Sequence, residues 1–210
     1  MAKIRNSFIL LLVIFSVATA KHPAIRRRSR ARAFIEFQCQ ATLYQDLCVR
    51  CLSNYIANFT TTQTHEQLAH IALKVSLSRA QSTRAYVTEV AKQLKQTKAK
   101  DYRAVEDCLD QINDGVDQLT NCIKEVEKIK ENGGSEFPWH ASNVETWMST
   151  AQSDASICID GFSGRAIGGK TKAMIKAKVL NLEQVTSISL ALFNRYAARY
   201  RPSHATKPKV

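Results

Sequence analysis

Glycine and proline are scarce in this chain of 210 residues, numbering seven and four. A sandwich or barrel of short strands needs such residues at every tight turn, so their shortage favours helices. Apart from one stretch near the N-terminus, the sequence has no apolar run approaching the roughly 20 residues that a membrane span requires. Groupings that carry chemistry are equally rare. Cys48 and Cys51 form a C-x-x-C, but no second pair and no clustered histidines accompany it, which argues against zinc, and no βαβ pattern supports a redox role. His65 and His70 imitate a metalloprotease motif but stand five residues apart instead of four, so on a helix they diverge by about 140°. Gly161-Phe162-Ser163-Gly164 brings its second glycine one place early for a nucleophile elbow. Gly168-Gly169-Lys170-Thr171 resembles the end of a phosphate loop, without the strand that should precede it. With no nucleophile and base, no carboxylate pair and no metal cage, neither catalysis nor a cofactor or metal is expected.

What the chain does have is positive charge, unevenly placed. The formal net charge is +12, which suggests a polyanion binder until position is considered. Lys3 and Arg5 belong to a stretch with the form of a secretory leader: basic residues, an apolar run from Phe8 to Val17, then Ala18-Thr19-Ala20 as a cleavage site. Six more cations lie between Lys21 and Ala33, so residues 34–210 carry only about +4 and make no case for nucleic acid. The expected layout is a leader over 1–20, a basic mobile tail over 21–33, a helical hairpin over 34–63, a helical bundle over 64–200 and a flexible C-terminus over 201–210. A cleaved leader implies a secreted, extracellular protein without a membrane anchor, in a compartment where the six cysteines can oxidise. Asn58-Phe59-Thr60 is the one glycosylation sequon.

Four long segments follow the Thr-rich turn at 60–64. The first, from about Thr64 to Lys98, begins with a capping pair, Thr64 and Gln67, and has a small, polar middle that permits close packing. The second, about Tyr102 to Lys130, places Val105, Leu109, Ile112, Val116, Leu119, Ile123 and Val126 at alternating spacings of four and three. A third runs from Ser142 with Val144, Trp147 or Met148, Ala151, Ala155 and Cys158 on one face, and a fourth from about Thr171 to Tyr200. Short connections between such segments predict an up-down-up-down four-helix bundle. On the second helix Asp107, Asp110, Asp114 and Asp117 form an acidic ridge opposite the apolar stripe. It reads either as a solvated face or as a contact strip for a basic partner.

The motifs Cys39-Gln-Ala-Thr-Leu-Tyr-Gln-Asp-Leu-Cys48, Leu77-Ser-Arg-Ala-Gln-Ser-Thr83, Ala104-Val-Glu-Asp-Cys108 and Cys158-Ile-Asp-Gly-Phe162 resemble those of the plant invertase and pectin methylesterase inhibitors, including the proteins called 21 kDa proteins. The resemblance implies a disulfide-stapled four-helix bundle behind a helical hairpin, with Cys39 joined to Cys48 and Cys108 to Cys158. Cys51 and Cys122 lie outside the four-cysteine pattern; in an oxidising compartment they are expected to pair with each other, the alternative being two unpaired buried thiols. The implied function is non-covalent inhibition of pectin methylesterase in the cell wall by covering its active-site cleft, with the second, third and fourth bundle helices meeting the enzyme; the acidic ridge, which lies on the second, is expected with Ser153 and Asp154 to form part of that interface. Acid invertase is the alternative target. Invertase inhibitors of the family carry Pro-Lys-Phe where this chain has Pro138-Trp139-His140, which favours the esterase. A reading of another class is a structural or signalling bundle whose arginine-rich tail holds pectin.

Overall fold

A computed structural model describes residues 23–58, 63–99, 101–131, 136–162 and 169–199. Among these there are six α-helices and no strand: α1 (Pro23–Cys39), α2 (Gln45–Ser53), α3 (His65–Gln96), α4 (Tyr102–Glu131), α5 (Phe137–Gly161) and α6 (Gly169–Arg199), with a 3-10 turn at Ile56–Asn58. The leader, the C-terminal residues from 200, and residues 59 and 60 of the sequon lie outside the described residues. No described helix is long and apolar enough to cross a membrane.

Helices α3 to α6 form the bundle. Each packs on its chain neighbour and α3 closes the ring against α6, which is the up-down-up-down arrangement expected. Thr64 caps α3, its Oγ1 accepting from the Gln67 N–H at 3.1 Å. The helix ends with Lys98 at φ 51 and the Ala99 N–H reaching back to the Leu94 carbonyl, a closing turn that usually takes glycine. The small middle of α3 approaches α6 closely: Ser76 and Ser189 share a hydrogen bond at 2.7 Å, and Ser189 Oγ also reaches the Ala72 carbonyl. One core cluster gathers Val87, Val105, Ile112, Leu119 and Val179, and a second gathers Leu73, Val126, Met148 and Phe193. A third, with Ile35, Leu52, Leu68, Ile188 and Leu192, fastens the α1–α2 hairpin to α3 and α6. Disulfides join Cys39 to Cys48 within the hairpin and Cys108 to Cys158 between α4 and α5.

Three expectations need correction. The basic stretch is helical from Pro23, forming the first half of α1 instead of a mobile arm. Proline suits the first turn of a helix, alanine and arginine propagate it, and Ala31 and Ile35 bury themselves against the bundle. Helix α5 starts at Phe137 rather than Ser142, because Phe137 is buried edge-on to Tyr196 with ring centroids 5.5 Å apart. Its core residue is Met148, with Trp147 only half-buried. Cys51 and Cys122 are not bonded. Cys122 lies on α4 facing α5, its Sγ 3.6 Å from the Val144 carbonyl, whereas Cys51 lines the hairpin packed on α3 and α6. Burial pushes the Cys122 thiol up to about 12.

Candidate functional site

Helices α4 and α5 carry the expected contact residues. The apolar stripe of α4 faces inward, which leaves Asp107, Asp110, Asp114 and Asp117 exposed on the far side. On α5 the outward face is a line of hydroxyls. Thr146, Ser149, Thr150 and Ser153 each donate to the carbonyl four residues earlier, at 2.8 to 3.0 Å. Their hydrogens are therefore committed to the backbone, and what they show a partner is acceptor lone pairs. These residues, with Ser142 and Glu145, line a shallow depression of about 490 Å³. The two helices together present carboxylates and hydroxyl acceptors, a surface complementary to a partner rich in N–H donors.

Ser153 is exposed, as the contact reading requires, but Asp154 is not: it is 9% exposed and its Oδ2 has no hydrogen-bond partner in the protein. Burial raises its carboxyl pKa, and the nearby Asp114 raises it further. Asp154 is therefore covered, with its carboxyl close enough to Asp114 on the ridge to feel that charge. A carboxyl whose folded pKa is raised weakens the fold at pH values above its unfolded pKa and has no such effect where both states are protonated. Asp154→Asn, which keeps the shape and removes the charge that burial and Asp114 disfavour, is expected to raise the unfolding free energy at pH 7 and to gain nothing at pH 3. Urea unfolding at the two pH values checks this.

A second buried carboxylate went unnoticed in the sequence. Glu125 is 3% exposed and accepts from His140 Nδ1 at 2.8 Å, Asn143 Nδ2 at 2.8 Å and Lys128 Nζ at 3.0 Å. Burial alone would raise this carboxyl; the hydrogen bonds from His140, Asn143 and Lys128 outweigh it and hold the group at about 2. The cluster ties the first turns of α5 to the last turns of α4. A depressed carboxyl stabilises fully above its ordinary value of 4.5 and loses that contribution as pH falls from there toward 2. Glu125→Gln is expected to lower the unfolding free energy by on the order of 2 kcal/mol at pH 6 and by much less near pH 3, measured by urea titration. Nothing in the spacing marks Glu125, which lies five turns beyond Asp107 on the same side of the helix. Only the arrival of α5 covers it.

The other candidates stay apart from this face. His65 packs edge-on against Phe34 at 5.6 Å, and burial, with Arg199 and Arg195 nearby, lowers its pKa. Among the described residues no group of three His, Cys, Asp or Glu is placed to hold a metal ion. Asn58 ends the 3-10 turn, and its side chain lies outside the described residues.

Residues 33–192 match the family model described as plant invertase/pectin methylesterase inhibitor. Pectinesterase inhibitor 9 of Arabidopsis thaliana is 37% identical over 198 residues, which covers 94% of this chain and 97% of that one. The 21 kDa protein of Daucus carota is 36% identical over 194 residues, covering 92% and 95%. The fold is also that of a crystal structure of a mutant form of a pectin methylesterase inhibitor from Arabidopsis, at a TM-score of 0.57 and 15% identity over 74% of this chain and 92% of that one.

Proposed function

The chain belongs to the plant invertase/pectin methylesterase inhibitor family, and on that premise we propose that it is a secreted inhibitor of pectin methylesterase. The α4–α5 face docks on the enzyme and occludes its active-site cleft without covalent chemistry. One observation carries this reading: Thr146, Ser149, Thr150 and Ser153 all donate to their own backbone and so form a strip of acceptors along α5, to which the exposed ridge carboxylates add acceptors on the neighbouring α4. Such a strip supports recognition of a basic, donor-rich surface. The relatives named pectinesterase inhibitors support the choice of target, and the N-terminal leader supports release to the cell wall.

Titrating the oxidised, leader-free protein against purified pectin methylesterase and acid invertase, side by side, tests the reading. Stoichiometric loss of esterase activity with invertase untouched is the expected result; the reverse would transfer the face to invertase, and no effect on either would end the inhibitor reading. Helix α1 favours a second, compatible role. Arg28 and Arg30 are exposed along it, while Arg32 is paired with Glu36 at 2.8 Å; this cationic helix suits de-esterified pectin, and such binding would weaken steeply with salt.

A further inference from the structure

The two faces that meet between α2 and α3 enclose a pocket of about 420 Å³ on a part of the protein that the inhibitor reading leaves without a role. Leu47, Arg50, Cys51 and Asn54 come from one side of α2 and its cap, at spacings of three, four and seven; Val75, Ser78, Arg79 and Ser82 come from one side of α3. The floor is apolar, with Val75 buried and Leu47 half-buried. Two guanidiniums stand at the walls. Among the described residues neither Arg50 nor Arg79 has a carboxylate within ion-pair distance or a side-chain hydrogen bond, and no acidic residue lines the pocket.

A guanidinium presents a fork of N–H groups that fits a carboxylate with two parallel hydrogen bonds. Two of them in one pocket call for a ligand with two spaced anionic groups. The remaining polar lining is neutral: Ser78, Ser82 and Asn54 suit hydroxyl groups, and the Tyr55 ring suits the apolar face of a sugar. We propose that this pocket binds a short oligouronide, two or three carboxylated sugars long. The identity of the uronide rests on the reading given under Proposed function: a pectin methylesterase hydrolyses methyl esters to carboxylates without cutting the chain, so runs of de-esterified galacturonate within the polymer are what that enzyme leaves behind, and two or three such sugars are what the pocket would hold. The inhibitor would then hold a product of the reaction it blocks, on a face separate from α4–α5.

Cys51 supplies the readout, since it lines the same pocket and is half-buried, while Cys122 is fully buried with its thiol pushed up to about 12. In the native, oxidised protein iodoacetamide should therefore modify Cys51 alone. The experiment follows that modification with trigalacturonate, with its methyl ester and with sodium sulfate. Trigalacturonate is expected to slow alkylation about tenfold at ten times its dissociation constant, with the methyl ester and sulfate far less effective at equal concentration. Arg50→Ala with Arg79→Ala should abolish the protection. The same double variant should inhibit pectin methylesterase as well as the parent, because neither residue lies on α4 or α5. No protection by trigalacturonate, equal protection by the ester or by sulfate, or protection that survives the double substitution would each overturn the pocket. Failure of the parent protein to inhibit the esterase, with the protection intact, would instead count against the docking reading alone.

Discussion

Reversing Asp110 and Asp114 to lysine is expected to weaken inhibition of pectin methylesterase by about 100-fold or more. Each exposed ion pair at an interface contributes at most about 1 kcal/mol, so neutralisation would be modest. Reversal goes further, because it sets lysine ammoniums against the donors that the ridge is proposed to face. Like charges across an interface cost several kcal/mol, and about 2.8 kcal/mol already amounts to 100-fold. The fold should be untouched, since both side chains are exposed on the side of α4 opposite its buried stripe. Circular dichroism should therefore match the parent, and the urea midpoint should not fall, since exchanging the Asp114 charge for a lysine relieves the repulsion on Asp154. Asp46→Lys, an exposed reversal on α2, serves as the control and should leave inhibition within twofold. Part of the loss should appear in the association rate and diminish with added salt, because charges at the rim act through steering. An unchanged inhibition constant for the double reversal would remove the ridge from the interface. Acidification should mimic it weakly, as model carboxylates protonate near 4 and the raised pKa of Asp154 removes its charge at a higher pH than usual.

The parts of this fold that could be read from the chain are those decided locally. Helix α4 repeats its apolar residues at threes and fours over its length, so its inward face follows from period alone. The cap of α3 needs only Thr64 and Gln67, three residues apart. What escaped depends on contacts between distant segments. Arginine-rich sequence with one proline reads as an open tail, and α1 becomes a helix because Ala31 and Ile35 have a groove to enter. Phe137 and Pro138 read as the end of a loop until Tyr196, 59 positions away, gives Phe137 a ring to pack on. The same separation hides the chemistry of the face. Asp114 and Glu125 look alike on α4, yet one is a surface charge and the other is buried under His140 and Asn143 of α5. Asp154 reads from the chain as an expected contact residue, and the fold buries it. Its burial depends on the close approach of α4 and α5, where Gly115 faces Ala151. Cysteine count suggested a third bridge, but count carries no direction, and Cys122 turns toward Val144 instead.

The disulfide between α4 and α5 should be the most costly single feature to remove. Its cysteines are 50 positions apart, against nine for the hairpin bridge. In the chain-entropy account a crosslink stabilises by restricting the unfolded chain, which gives about 4 kcal/mol for the longer loop and about 2.5 kcal/mol for the shorter. Alanine is the better replacement: Cys108 and Cys158 are each 2% exposed within the main core cluster, and serine would bury two hydroxyls there. Cys108→Ala with Cys158→Ala is expected to lower the urea-unfolding free energy by about 4 kcal/mol and to steepen the transition slightly, since the uncrosslinked chain exposes more surface on unfolding. Function should suffer beyond stability. Asp107 and Asp110 flank Cys108 on α4, and Asp154 lies one turn before Cys158 on α5, so the bridge fixes the alignment of the two halves of the proposed face. The variant should inhibit more weakly even at temperatures where it is fully folded, with most of the change in the dissociation rate. The comparison with Cys39→Ala and Cys48→Ala decides whether loop length is the cause. If the nine-residue bridge proves the more costly to lose, the unfolded-chain account fails for this protein, and the stabilisation must come from native contacts between hairpin and bundle.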